Sequence, residues 1–263
     1  MSPFPEGAPC WADAMFPDVA AARGFYGQVL GWTFDEEHAE EYGGYTMALM
    51  DGEPVAAVMP VMPGADVPAL WNLYLATSDA AAATGRVEGL GGTVVMGPED
   101  VGGFGTTSSL RDPAGVAFGL WQPGGHPGFG LTEAPGAYAW AEVNTRDPAA
   151  TDGFFPELFG YEVGVMEDPG TDFRVWSAAG RPVLGRMAMT DDFPPEVPSY
   201  VNVYFSVPDC DTAVETAVRL GGQVHHGPVT TPFGRFAAVS DQQGAAFSVI
   251  DAGTTAGETP PMT

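Results

Sequence analysis

The stretch GGTVVMGPEDVGGFGTTSSLRDPAGVAFG, Gly91 to Gly119, returns near the end of the chain as GGQVHHGPVTTPFGRFAAVSDQQGAAFS, Gly221 to Ser248. Gly91-Gly92 answers Gly221-Gly222, and Gly97-Pro98 answers Gly227-Pro228, at an offset of 130 residues. Phe104-Gly105 answers Phe233-Gly234, and Asp112 and Gly115 answer Asp241 and Gly244, at 129. Upstream, Trp11-Ala12-Asp13 matches Trp140-Ala141-Glu142, Phe25-Tyr26 matches Phe154-Phe155, and Leu30-Gly31-Trp32 matches Phe159-Gly160-Tyr161, again at 129. One slipped residue in so long a match is a loop indel. The period is far above the roughly 20 to 50 residues of stacking repeats, so the chain is a duplication of a domain-sized unit.

Length and composition agree with two ordinary cores: 263 residues, 45% of them hydrophobic. There is no apolar run of about 18 residues, and the opening MSPFPEGAPC has neither the basic region nor the apolar core of a secretory signal. A cytoplasmic protein without a membrane partner is expected. Nine basic residues, all arginine, stand against 34 acidic ones, for a net charge of −25. That balance argues against nucleic acid, whose phosphates need clustered positive charge. It favours cationic over anionic ligands within a Debye length of roughly 8 to 10 Å, and it also serves simply to keep a protein soluble. With no lysine, neither a Schiff base nor a lysine general base is available. Cys10 and Cys210 occupy non-equivalent positions and form no CxxC, so neither a disulfide framework nor a zinc motif is indicated.

Each copy reads as two smaller units of one pattern, a strand, a helix and three more strands. In the first copy these are strand 11–16, a helix from Pro17-Asp18 to Leu30 ended by Gly31, and strands 33–36, 45–50 and 55–59, with an Asp51-Gly52 hairpin turn. The second unit has strand 70–77, a helix over 80–90 capped by Asp79 and Gly91, and strands near Thr93, Thr106 and Val116. The second copy repeats the scheme with strand 138–145, helix 148–158, strands 173–178 and 183–189, strand 199–207, helix 210–220 and strands to Ile250. The expected division is a first domain at 10–121, a Gly/Pro-rich linker at 122–137 and a second domain at 138–251. The tail 252–263 and residues 1–9 are small, polar and proline-containing, and are expected to be disordered.

The pattern resembles the vicinal oxygen chelate superfamily of glyoxalases, bleomycin-resistance proteins and extradiol dioxygenases, in a tandem form. Phe25-Tyr26 through Leu30-Gly31-Trp32, Gly91-Gly92, Gly97-Pro98 and Asp112-Pro113-x-Gly115, with their second-copy counterparts, carry the resemblance over about residues 10–251. It implies an α+β fold of four βαβββ units, two per domain, curved into ligand cups. It also implies that metal-dependent members place a His or Glu where this chain has Trp11, Asn72 and Gly119, or Trp140, Asn202 and Ser248. Indole and glycine bind no metal and Asn is a poor replacement for His, so neither a metal nor another cofactor is expected. Nor do the histidines supply one: His38 and His126 fall in loops, and His225-His226 are adjacent on a strand and face opposite ways.

Strand alternation then sorts the unit-opening strands. Ala12, Ala14, Phe16, Leu73, Leu75, Thr77, Ala141, Val143, Val203, Phe205 and Val207 form an apolar set for the helix side. The cup side receives Trp11, Asp13, Met15, Asn72 and Tyr74 in the first copy, and Trp140, Glu142, Asn144, Asn202 and Tyr204 in the second, with Ser248 beside them. Two readings follow. In the first, the cups bind a small aromatic or cationic organic molecule without metal, as in sequestration of, or resistance to, an antibiotic or other secondary metabolite. In the second, the chain is a metal-free isomerase, lyase, cyclase, hydroxylase-type or oxygenase-associated enzyme for a keto or polyketide-like substrate. Asp13 or Glu142 would then be the general base, and Tyr74 or Tyr204 the stabilising donor. Both carboxylates also have candidate ion-pair partners in Arg174 and Arg186, and the aromatic residues serve equally as packing. Methionines 47, 50, 59, 62, 187 and 189 suit core or cup lining. Monomer and homodimer both remain open.

Overall fold

The computed structural model describes all residues except 1–2, 36–38, 40, 62–67 and 169. His38, Met62 and the end of strand 33–36 at Glu36 therefore lie outside the described residues.

The first copy is one curved eight-stranded sheet in the order β2-β3-β4-β1-β5-β8-β7-β6. Its strands are β1 (Pro9–Phe16), β2 (Thr33–Asp35), β3 (Thr46–Met50), β4 (Glu53–Pro60), β5 (Leu70–Ala76), β6 (Thr93–Asp100), β7 (Gly105–Arg111) and β8 (Ala117–Pro123). The second copy repeats the order as β10-β11-β12-β9-β13-β16-β15-β14. These are β9 (Tyr138–Thr145), β10 (Glu162–Val165), β11 (Phe173–Ala178), β12 (Arg181–Ala188), β13 (Tyr200–Ser206), β14 (Gln223–Thr231), β15 (Gly234–Ser240) and β16 (Ala246–Asp251). The fold is thus the expected α+β tandem of four βαβββ units.

Each unit's helix starts on an aspartate whose carboxylate accepts a backbone N–H of the first turn, a standard N-cap. Asp18 caps α1 (Val19–Val29), Asp79 caps α2 (Ala80–Val87), Asp147 caps α3 (Pro148–Phe159) and Asp209 caps α4 (Cys210–Arg219). The second helix is shorter than the sequence suggests, because residues Glu88–Leu90 tighten into a 3-10 turn before Gly91 ends it in the left-handed region at φ 85°. The Asp51-Gly52 turn has both central residues at positive φ, 53° and 82°, as the tightest hairpin connection requires.

The two copies pack through their helix-bearing faces, α1 against α4 and α2 against α3, with β5 near β13. The apolar set of the opening strands lies in this shared core: Ala12, Ala14, Phe16, Val203 and Phe205 are fully buried. Aromatic residues cross the junction, with Trp32 and Trp71 at 5.2 and 5.1 Å from Phe205 and Phe118 at 5.0 Å from Phe155. The Asp-x-x-Gly turns of the repeat serve it too. Asp241 accepts the Tyr26 hydroxyl at 3.1 Å, and Asp112 accepts the Thr151 hydroxyl at 2.7 Å. Both concave faces therefore point away from the junction.

Two expectations about disorder are corrected. Residues 3–8 run onto β1, where Gly7 donates to Ala76 at 2.8 Å and Ala8 accepts from Ala76 at 2.8 Å. The tail after Ala252 is not loose either. Thr263 and Val165 exchange both backbone hydrogen bonds, at 2.7 and 3.0 Å, on the open edge of β10. Composition missed this because an edge strand's unpaired N–H and C=O groups recruit a partner through the backbone, whatever its side chains.

Candidate functional site

Register builds the first cup. Trp11 lies opposite Tyr74 and Asp13 opposite Asn72 across the β1–β5 pair, while Asp13 stands beside Ala57 on β4. Because these residues share one strand parity, their side chains emerge on the concave face together. The Asn72 amide donates to Asp13 Oδ1 at 3.0 Å and the Tyr45 hydroxyl donates to Asp13 Oδ2 at 3.2 Å. Tyr45 in turn accepts the Trp11 indole N–H at 2.7 Å. Asp13 is 3% exposed, and burial pushes its carboxyl up to about 6, against the pull of donors Asn72, Tyr74 and Tyr45.

Around this floor lies a cavity of about 630 Å³, lined by Trp11, Asp13, Tyr74 and eleven residues beyond the unit-opening strands. Its walls are aromatic: Tyr42, Tyr45, Phe104, Trp121 and His126 join Trp11 and Tyr74, with Met47 and Met59 filling between. Of the five expected residues, Met15 does not line the cavity, and Asn72 reaches it only through Asp13. Met47 and Met59, which the sequence offered as core or cup lining, do line it, and Tyr45 could have been found by extending the alternation to the residue before β3. His126 could not, since it belongs to the linker. That segment doubles back along β1, with Phe129 donating to Cys10 at 2.8 Å and Gly130 to Pro54 at 2.8 Å. It thereby sets the His126 ring 4.4 Å from Trp11 and 5.7 Å from Trp121, edge-on. His126 lies in a loop, as the sequence indicates, and there it forms a wall of the cup, with its pKa lowered by burial.

The second cup repeats the register, Trp140 opposite Tyr204 and Glu142 opposite Asn202, but not the bonding. The Tyr204 hydroxyl donates to Glu142 at 2.8 Å, whereas Asn202 has turned to the Ser248 hydroxyl at 2.9 Å. By register Phe173 stands where Tyr45 stands in the first copy, so one donor is missing. Glu142 is half-buried, with its carboxyl pushed up by burial to about 7 against hydrogen bonds from Tyr204 and Trp140. Asn144 is buried, at 3% exposure. The alternative of ion pairing to the cup carboxylates is not realised by either arginine. Arg186 binds Asp152 and Asp172, at 2.9 and 2.8 Å, and Arg174 binds Asp152 at 3.3 Å.

The donor set does not suit the divalent metal implied by the superfamily. At the three equivalent positions of the first cup, the Trp11 indole is a donor already committed to Tyr45, and the Asn72 amide is committed to Asp13. Gly119 has no side chain, and the Tyr74 ring fills the place of its Cβ. Among the described residues no three His, Cys, Asp or Glu side chains converge. His225 and His226 have different neighbours, Ser240 at 2.9 Å and the Phe236 ring at 5.8 Å. No described helix is long and apolar enough to cross a membrane.

Residues 11–120 match the family model described as Glyoxalase/Bleomycin resistance protein/Dioxygenase superfamily. Over 264 residues, 95% of each chain, the sequence is 40% identical to the anthracycline biosynthesis protein DauV of Streptomyces sp. (strain C5). It is also 40% identical, over 266 residues and 95% of each chain, to the anthracycline biosynthesis protein DnrV of Streptomyces peucetius. The Mn(II)-bound glyoxalase from Novosphingobium aromaticivorans shares the fold at a TM-score of 0.63 and 17% identity, over 97% of this chain and 87% of that one. Duplicated register, eight-stranded cups and these relatives agree that the chain belongs to the glyoxalase/bleomycin resistance/dioxygenase, or vicinal oxygen chelate, superfamily, in its tandem two-domain form.

Proposed function

We propose that this protein binds a planar aromatic secondary metabolite in its first cup without a metal, and that Asp13 is the polar anchor. The observation that carries the reading is a buried carboxylate on the floor of a cavity whose walls are seven aromatic side chains. About 630 Å³ falls within the roughly 300 to 1,000 Å³ of small-molecule sites, and a mostly apolar cavity with few convergent polar groups is their usual form. Flat rings gain about 0.5 to 1.5 kcal/mol per well-placed aromatic contact beyond burial itself. A cationic group near Asp13 and over the Trp11 indole adds up to about 2 kcal/mol, in keeping with the acidic charge of the whole chain. The two Streptomyces relatives, both named for anthracycline biosynthesis, support a fused-ring polyketide as the ligand class.

A second reading is favoured by one specific observation. A carboxyl pushed up to about 6, with Tyr45, Tyr74 and Asn72 around it, suits a general base that takes a proton from a keto substrate while neighbouring donors hold the enolate. Asp13→Asn separates the two. In the binding reading it weakens a cationic planar probe such as proflavine by about tenfold in a tryptophan-fluorescence titration, and Trp11→Phe removes most of the quenching. In the enzyme reading the affinity stays within about twofold while turnover of the substrate disappears. Unchanged quenching of Asp13→Asn and Trp11→Phe by both proflavine and the planar phenol alizarin would falsify the assignment of the first cup.

A further inference from the structure

The two rims of the first cup are the β2–β3 connection and the β6–β7 turn. Both line the cavity, through Ala39 and Tyr42 on one side and Val101 and Phe104 on the other. Tyr42 and Phe104 touch across it, ring centroids 5.4 Å apart. The repeated topology makes the β10–β11 connection and the β14–β15 turn the rims of the second cup. Among the described residues no aromatic pair bridges them; instead, the tail runs from one to the other. Ala256 donates to Thr231 at the end of β14 at 3.0 Å, and Gly257 lies beside Pro232, where an added Cβ would meet the proline ring. Five residues on, Pro261 accepts from Glu167 at 3.0 Å, Met262 pairs with Met166, and Thr263 is doubly bonded to Val165. Five extended residues span at most about 17 Å, a distance suited to crossing a cleft.

We propose that residues 256–263 are a strap across the mouth of the second cup, and that this cup is a latent second site for the same class of planar, hydrogen-bonding or cationic ligand, opened when the strap leaves. The strap is bound at its two ends by backbone hydrogen bonds, and its side chains are largely exposed. Such attachment is weak enough to open locally while the sheet beneath stays folded. Beneath it, Glu142 and Tyr204 offer a carboxylate and a phenol arranged differently from those of the first cup. A closed strap makes two similar cups unequal: one ligand is bound without it, and a second only at the cost of releasing it. The ligand-binding half of this inference rests on the reading of the first cup; the strap itself does not.

Two full-length variants test it. Ala256→Pro/Thr263→Pro removes the N–H group that the strap itself donates at each end and so loosens both, leaving the bonds that Pro261 and Thr263 accept, and Val165→Cys/Thr263→Cys locks one end, since a doubly hydrogen-bonded antiparallel pair has the Cα spacing a disulfide needs. The native Cys10 and Cys210 are buried and do not compete. Without any ligand, acrylamide quenching of the fluorescence that Trp140→Phe removes is expected to rise at least about twofold in the released variant and to fall in the locked one. Amide exchange at Val165 and Glu167 is expected to quicken at least about tenfold on release. With proflavine as probe, the released variant binds two equivalents, and the oxidised locked variant binds one until it is reduced. Equal Trp140 quenching in all three proteins would overturn the strap. Quenching that changes while every protein binds one equivalent would overturn the latent site alone. Absence of saturable proflavine binding in all three would instead count against the first-cup reading and also overturn the latent site, leaving the quenching to decide the strap.

Discussion

The Tyr45 hydroxyl donates to the Asp13 carboxylate at 3.2 Å on the floor of the first cup, and the same oxygen receives the Trp11 indole N–H at 2.7 Å. One phenol therefore fixes the rotamer of the indole and helps ionise the carboxylate. Its second-copy equivalent is Phe173, so the two cups differ at the group that tunes the acid.

Replacing Tyr45 by Phe removes a donor to the charged form of Asp13 and strands a buried indole N–H. An unmet buried donor costs about 1 to 3 kcal/mol, and the loss of the hydroxyl raises the Asp13 pKa further above about 6. Chemical denaturation reads the first effect, and the pH midpoint of proflavine affinity reads the second, moving upward. A midpoint that stays put or falls means that Tyr45 does not tune Asp13.

Asp13 also makes stability depend on pH in a definite direction. Its folded value of about 6 lies above the ordinary 3.8, so the folded state holds the proton more tightly than the unfolded one. The resulting contribution favours folding below pH 3.8 and is lost as pH rises to about 6. Asp13→Asn removes that slope, and the variant should gain on the parent by about 2 to 3 kcal/mol between pH 4 and 7. Urea denaturation across that range checks it; parallel curves for parent and variant would mean that Asp13 titrates normally.

The duplication, the strand parity and the helix caps were legible because each is a local pattern: offsets of 129 and 130, alternation, and Asp before a helix. Parity placed Trp11, Asp13 and Tyr74 in the cup directly. It could not place His126 or the tail, whose positions depend on where a Gly/Pro-rich segment docks against a distant edge. Nor could it distinguish the cups, because Asn72 and Asn202 look alike in sequence while one binds a carboxylate and the other a serine. That choice is set by Ser248 standing where Gly119 leaves space for the Tyr74 ring, a contact between strands nearly 50 residues apart.

The junction between copies predicts joint unfolding. Tyr26 donates to Asp241 and accepts from the Trp71 indole at 3.0 Å, inside a cluster shared with Trp32, Phe205 and Phe247. Such a continuous core should melt in one calorimetric transition. Tyr26→Phe should lower stability by about 1 to 3 kcal/mol while keeping that single transition, because it leaves Asp241 short of a donor but the aromatic packing intact. Two resolved transitions in the parent protein would show that the copies are thermally independent.

The last prediction concerns how a ligand leaves the first cup. Tyr42 and Phe104 are 49% and 39% exposed, yet both also face the cavity, so their edge-to-face contact bridges its mouth. Phe104 follows Gly102 and Gly103, both at positive φ, in a turn that fixes its place at the rim. An exposed pair of this kind contributes little to folding, but about 0.5 to 1.5 kcal/mol to holding the mouth closed. Phe104→Ala should therefore leave the denaturation midpoint nearly unchanged and speed dissociation of alizarin by roughly 2- to 12-fold, an effect carried by the off-rate. Phe233, the same position in the second copy and 53% exposed, provides the control. Stopped-flow displacement should give Phe233→Ala the parent's off-rate from the first cup. Equal acceleration by both alanines would place the exit elsewhere than the Tyr42–Phe104 rim.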